Sequence, residues 1–147
     1  MAENDGFRAP DVAKLVGISY RQLDYWARTD LVTPSVQDAG GSGTQREYSF
    51  QDIVLLKTIK SLLDTGVNLQ RIRKAIDFLR THLKEPPHGM TLLSDGNKVF
   101  AASSPDEVID LLARGQGVFA VAVDKVWNDV EGSVRKQTAK AARARGA

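Results

Sequence analysis

The run Asp11-Val12-Ala13-Lys14-Leu15-Val16-Gly17-Ile18-Ser19-Tyr20-Arg21-Gln22-Leu23-Asp24-Tyr25-Trp26 decides how this chain folds. Val12, Leu15 and Val16 fall three and four apart, the spacing that lines one face of a helix, and Gly17 is placed to stop it. Ser19 and Gln22 form an S-x-x-Q capping box, so a second helix is predicted from Tyr20, with Leu23 and Trp26 turned inward. Two short helices joined through a tight, glycine-containing turn are the outline of a helix-turn-helix.

Leu31, Val32 and Pro34 end that segment. The glycine-rich run Gly40-Gly41-Ser42-Gly43 then separates two short stretches, Thr33 to Gln37 and Arg46 to Ser49, that are predicted to pair as a hairpin wing. A third helix is capped by Ser49 with Asp52 three residues on. Its broad apolar face is Ile53, Leu55, Leu56, Ile59, Leu62 and Leu63, and Gly66 ends it. Asn68 caps a fourth helix with Leu69, Ile72, Ile76 and Leu79 inward. Arg71, Arg73, Lys74 and Arg80 fall outward, a pattern that reads as a solvated face.

Glu85-Pro86-Pro87-His88-Gly89 is the clearest break, since two prolines stop a helix and push the preceding residue toward extended geometry. Beyond it the period changes. Thr91 to Leu93 and Lys98 to Ala101 flank an Asp-Gly turn, Ser104 caps a short helix over Pro105 to Ala113, and Val118 to Val123 reads as a buried strand. Val126, Trp127, Val130 and Val134 return to helical spacing. The predicted fold is therefore mainly α: a four-helix winged helix-turn-helix with a wing hairpin over 1–85, a small α+β unit over 86–137, and a basic, disordered tail over 138–147. The α+β unit, read as a dimerisation or effector unit, is small for independent stability, so its apolar strand and helix face are expected to pair across a two-fold axis, the alternative being that they dock on the third or fourth helix of their own chain.

Composition narrows the function. With 42% hydrophobic and 26% charged residues this is an ordinary globular chain, and with no cysteine it has no disulfide framework, thiol nucleophile or cysteine-held metal. His82 and His88 are split by a helix end and two prolines, so no metal site and no cofactor is expected. No Ser/His/Asp set or phosphate loop is present, and Asp106, Glu107 and Asp110 sit where helix-start acids belong, so no enzyme is expected. Met1 to Ala9 holds Glu3 and Asp5 and no apolar run, so a cytoplasmic protein spanning no membrane is expected.

The net charge of +2 is unevenly spread. Residues 1–85 hold twelve basic and eleven acidic side chains, 86–134 three and seven, and 135–147 five and none. So small a sum leaves nucleic-acid binding to individually placed arginines.

The motifs Asp11 to Ser19, Arg21-Gln22-Leu23-Asp24-Tyr25-Trp26, Leu31-Val32-Thr33-Pro34, Arg46-Glu47-Tyr48 and Asp52-Ile53, in that order, resemble the DNA-binding head of MerR-family transcription regulators. The likeness runs from about Phe7 to Leu79. It implies a helix from Tyr20 in the major groove, a wing on the flanking backbone, and a homodimer on near-palindromic, distorted promoter DNA, with RNA polymerase as a further candidate partner. The implied contacts to double-stranded DNA are Ser19, Tyr20, Arg21, Asp24, Tyr25, Arg28, Gln45, Arg46 and Tyr48.

Two departures stand out. Position 24 is often basic in the family and is Asp24 here, suited to accept from a cytosine or to pair with Arg21 or Arg28. The usual long dimerising helix after the head is broken by Pro86-Pro87. Two alternatives stay open: an excisionase-like architectural protein that bends DNA, and a protein-partner docking module carried by a DNA-binding head.

Overall fold

The computed structural model describes residues 6–36, 46–82, 91–94, 99–102, 106 and 119–146. Helix α1 (Ala9–Val16) starts on Pro10 and Asp11, residues suited to a first turn, and ends on Gly17 at φ 84°, a left-handed turn that costs glycine little. Ile18 and Gly17 both donate to the Ala13 carbonyl, at 3.0 and 2.9 Å. Helix α2 (Tyr20–Arg28) follows at once, with Ser19 Oγ accepting from the Gln22 N–H at 3.0 Å as the sequence predicts. Val12, Ala13 and Val16 of α1 and Leu23, Trp26 and Ala27 of α2 are buried, so the two helices are fixed by a common core.

The exit of α2 is a Schellman turn. Leu31 N–H donates to the Trp26 carbonyl at 2.9 Å and Asp30 N–H to that of Ala27 at 3.2 Å, with Asp30 left-handed at φ 59°. Helix α3 (Phe50–Asp64) opens on the complete Ser49/Asp52 capping box and buries Ile53, Val54, Leu55, Leu56, Ile59 and Leu62. Helix α4 (Leu69–His82) buries Ile72 and Ile76, and Asn68 Oδ1 accepts from the Arg71 N–H at 3.0 Å.

The wing base holds a pairing that the sequence did not show. Strand β2 (Glu47–Tyr48) pairs antiparallel with β1 (Phe7–Arg8), Phe7 opposite Tyr48 and Arg8 opposite Glu47. Among the described residues, the stretch from Thr33 adds the bond from Val36 N–H to the Glu47 carbonyl at 3.2 Å. Pro34, which has no amide hydrogen, limits what that stretch can add to a ladder. The glycine-rich tip and Gln45 lie outside the described residues.

In the second half, β3 (Thr91–Ser94) pairs antiparallel with β4 (Val99–Ala102) and, on its other edge, with β5 (Phe119–Ala122), giving the order β4-β3-β5. The Asp-Gly turn, and all but Asp106 of the helix read over Pro105 to Ala113, lie outside the described residues. Helix α5 (Val123–Gly146) is a single helix that runs through the stretch expected to be a disordered tail. The correction has a simple cause. After Gly132 the helix has no glycine or proline until Gly146, and its alanine, lysine and arginine residues are strong helix formers.

The two halves share one core across the boundary read at Pro86-Pro87. Val123, Val126, Trp127, Val130 and Val134 of α5, with Leu92 of β3, are buried in the same cluster as Val12, Val16, Ile53 and Leu56 of α1 and α3. The face expected to pair across a two-fold axis is thus occupied by the chain's own head.

Candidate nucleic-acid interface

One face of α2 is spent on the core through Leu23, Trp26 and Ala27, which leaves the opposite face to solvent. That face carries Tyr20 and Tyr25, 56% and 49% exposed, with Arg21 exposed beside them. Arg21, Tyr25 and Arg28 follow one another at four- and three-residue steps, so their side chains stand along one stripe. Phenols and a guanidinium on a rigid helix suit the phosphates and base edges of a groove.

Asp24 sits within this stripe and holds two arginines. Its Oδ2 accepts from Arg28 Nε at 2.8 Å and its Oδ1 from Arg46 Nη1 at 2.5 Å. The Arg46 bond holds the Asp24 carboxyl below the ordinary aspartate range, partial desolvation opposes it, and Arg28 adds to the lowering. The pairing with Arg28 was one of the options open from sequence; the one with Arg46, 22 positions away, was not. Arg46 stands just before β2, so this ion pair ties the base of the wing to the middle of α2.

The other sequence-derived positions are placed as follows. Ser19 is exposed at the start of α2, its hydroxyl engaged as the cap. Tyr48 is fully buried and belongs to the core, which corrects its assignment to the DNA face. The register explains why: Tyr48 pairs with Phe7 and turns to the packed side of a two-residue strand. Gln45 lies outside the described residues.

Sequence reasoning missed two sets of contacts that position the face. Asp52 Oδ2 accepts from the Ser49 N–H at 2.9 Å, the Ser35 N–H at 2.8 Å and the Ser35 hydroxyl at 2.7 Å. The helix cap is therefore also the anchor of the segment leading into the wing. Arg73 and Arg80 of α4 donate to the Thr29 and Leu31 carbonyls, at 3.3 and 3.0 Å. Cations on the carbonyl end of α2 complement its dipole and fix its exit. Their seven-residue spacing, two turns on one face, was the only sequence signal. Among the described residues no group of three His, Asp or Glu side chains is placed to hold a metal ion, and no helix is long and apolar enough to cross a membrane.

A family model described as "MerR HTH family regulatory protein" matches residues 7–79, the span from β1 through most of α4. Residues 7–79 of this chain are a MerR-family HTH domain. Uncharacterized HTH-type transcriptional regulators of Mycobacterium tuberculosis and Mycobacterium bovis are 50% identical to it over 129 residues, 88% of this chain and 57% of theirs. The chain thus spans little more than half the length of these curated relatives. The HTH-type transcriptional regulator GlnR of Bacillus anthracis is 35% identical over 65 residues, 44% of this chain and 47% of its own. Among solved structures, a MerR-family transcriptional regulator from Bacillus cereus aligns with 90% of this chain and 99% of its own, at 16% identity and a TM-score of 0.41. The stretch matched by the M. tuberculosis relative is longer than the MerR domain, so the likeness to it continues into the half that packs on that domain.

Proposed function

We propose that this chain is a sequence-specific DNA-binding regulator of transcription that lays α2 in the major groove of promoter DNA. The observation that carries this reading is the exposed stripe of Tyr20, Arg21, Tyr25 and Arg28 on a helix whose other face is locked into the core. Arg21 is the base reader, suited to the two acceptors of a guanine, and Tyr20, Tyr25, Arg28 and the Ser19 segment meet the backbone. A homodimer on two half-sites, with distortion of the DNA between them, follows the symmetry that helix-turn-helix proteins use. Its two-fold contact lies outside the face of Val126, Trp127, Val130 and Val134, which is buried within the chain. RNA polymerase is the partner expected of a regulator placed within a promoter.

The shared core weighs against a free-standing docking module, because its C-terminal helix needs the head to cover it. Selecting duplexes from a randomised pool and mapping bound sites across the genome tests the proposal. Near-palindromic sites within promoters are expected. Sites clustered at recombination junctions would favour the excisionase-like role instead, and an absence of any preferred sequence would end the reading.

A further inference from the structure

This inference rests on the reading of α2 and the wing base as a DNA-binding surface. Asp24 places a negative charge in the middle of a stripe that otherwise offers only cations and phenols, and it does not stand alone there. Its two oxygens are taken by Arg28, from the next turn of the same helix, and by Arg46, from the base of the wing. The two arginines are not equivalent. The Arg28 side chain is 61% exposed and can reach outward while staying near Asp24, whereas that of Arg46 is 16% exposed, drawn in between the wing base and α2. The depressed titration of Asp24, caused first by Arg46, agrees with a carboxylate that stays ionised to hold that bond.

We propose that Asp24 is a specificity determinant that works by holding Arg46 off the DNA backbone, so that Arg46 braces the wing base against α2 as a positioning residue. Phosphate contacts raise affinity for every sequence alike, so a wing arginine on phosphate adds strength and no discrimination. Committed to Asp24, the same arginine fixes the angle between wing and recognition helix. A planar guanidinium is well suited to such a fixed, directional bond. The balance between operator and random DNA then leans on Arg21 and the helix stripe rather than on bulk charge.

The test is a salt series of binding measurements on the full chain with two duplexes, one selected by the wild type from a randomised pool and one unrelated. Asp24→Asn is expected to steepen the dependence of binding on salt by about one to two ions as Arg46 and Arg28 turn to phosphates. It should also narrow the ratio between the two duplexes about tenfold or more, through tighter binding of the unrelated one. Arg46→Gln, which keeps a donor for Asp24 and removes the charge, is expected to leave the salt slope within about half an ion of wild type while the ratio narrows. A slope lowered by about one ion in Arg46→Gln, with Asp24→Asn unchanged, would make Arg46 a phosphate contact and overturn the brace. A wild type that binds neither duplex would instead defeat the DNA-binding reading itself. Thermal melts of each variant identify any change that comes from unfolding.

Discussion

The indole of Trp127 stands edge-on to the ring of Phe50, with centroids 4.8 Å apart and planes at 70°, and so joins the last helix to the first turn of α3. Phe50 lies two residues beyond Tyr48 and directly after the Ser49 cap, at the root of the wing. The aromatic contact therefore couples the C-terminal half to the part of the head nearest the proposed DNA surface. Edge-to-face pairs of this kind add about 0.5–1.5 kcal/mol to what burial alone contributes.

Trp127→Ala is expected to destabilise the whole chain by about 3–5 kcal/mol, the range for emptying a buried aromatic site. A chain truncated after Glu85 should lose its cooperative melt, because the α1 and α3 residues that pack on α5 would be uncovered. Circular dichroism melts decide it: a truncated chain melting at the full-length temperature would show that the two halves do not support each other.

Arg21→Ala should weaken binding to a selected site by about 1–3 kcal/mol and binding to unrelated DNA by much less, as befits a residue that reads a base. Fluorescence anisotropy on both duplexes measures the difference. An equal loss on both would make Arg21 a backbone contact.

Asp52→Ala removes a helix cap and the acceptor for both Ser35 groups at once. Loss of the cap alone costs about 0.5–2 kcal/mol, and the uncovered Ser49 and Ser35 donors add to it. Chemical denaturation should show a lower midpoint with an unchanged slope. Wing-dependent DNA affinity should fall further than stability does, since Ser35 leads into the wing.

Asp24 gives a pH signature. Its folded-state titration is lowered, so between the ordinary aspartate value and that lower value the unfolded chain binds more protons than the folded one. Its contribution is fully present above the ordinary aspartate value and is lost as pH falls through the folded one. An NMR titration of the side-chain carboxyl should therefore show a midpoint below that of an unfolded reference peptide, and Arg46→Gln should move it upward. An unmoved midpoint would mean that Arg46 does not stabilise the carboxylate in solution.

The parts of this fold carried by neighbours in sequence were readable from it. The α2 start, the α3 capping box and the Thr91 to Ala101 hairpin each depend on residues a few positions apart, and each forms where the local pattern places it. What escaped were relationships between distant positions. The two-residue strand β1 has too little pattern to announce itself, and its partner lies forty residues on. Tyr48 was misplaced because two residues cannot show which side of a strand faces the core. The Asp24 bond to Arg46 and the reach of Arg80 to the Leu31 carbonyl span 22 and 49 positions, and only packing brings those ends together. The docking of α5 is left open by the sequence, between a second copy and the chain's own third or fourth helix, for the same reason: an apolar helix face shows that it needs a cover and not which surface supplies it.

The left-handed Asp30 has a bearing on how the end of α2 breathes. A residue with a β-carbon in this conformation sits roughly 1 kcal/mol or more above its relaxed state, with aspartate among the residues that tolerate it best. The carbonyls gripped by Arg73 and Arg80 lie immediately on either side of it, at Thr29 and Leu31. The last turn of α2 is thus a joint closed twice, by its own Schellman bonds and by a clasp from α4. Local opening of the helix is therefore expected to begin there and to quicken when Arg73 or Arg80 of α4, an element outside the exposed stripe, is replaced.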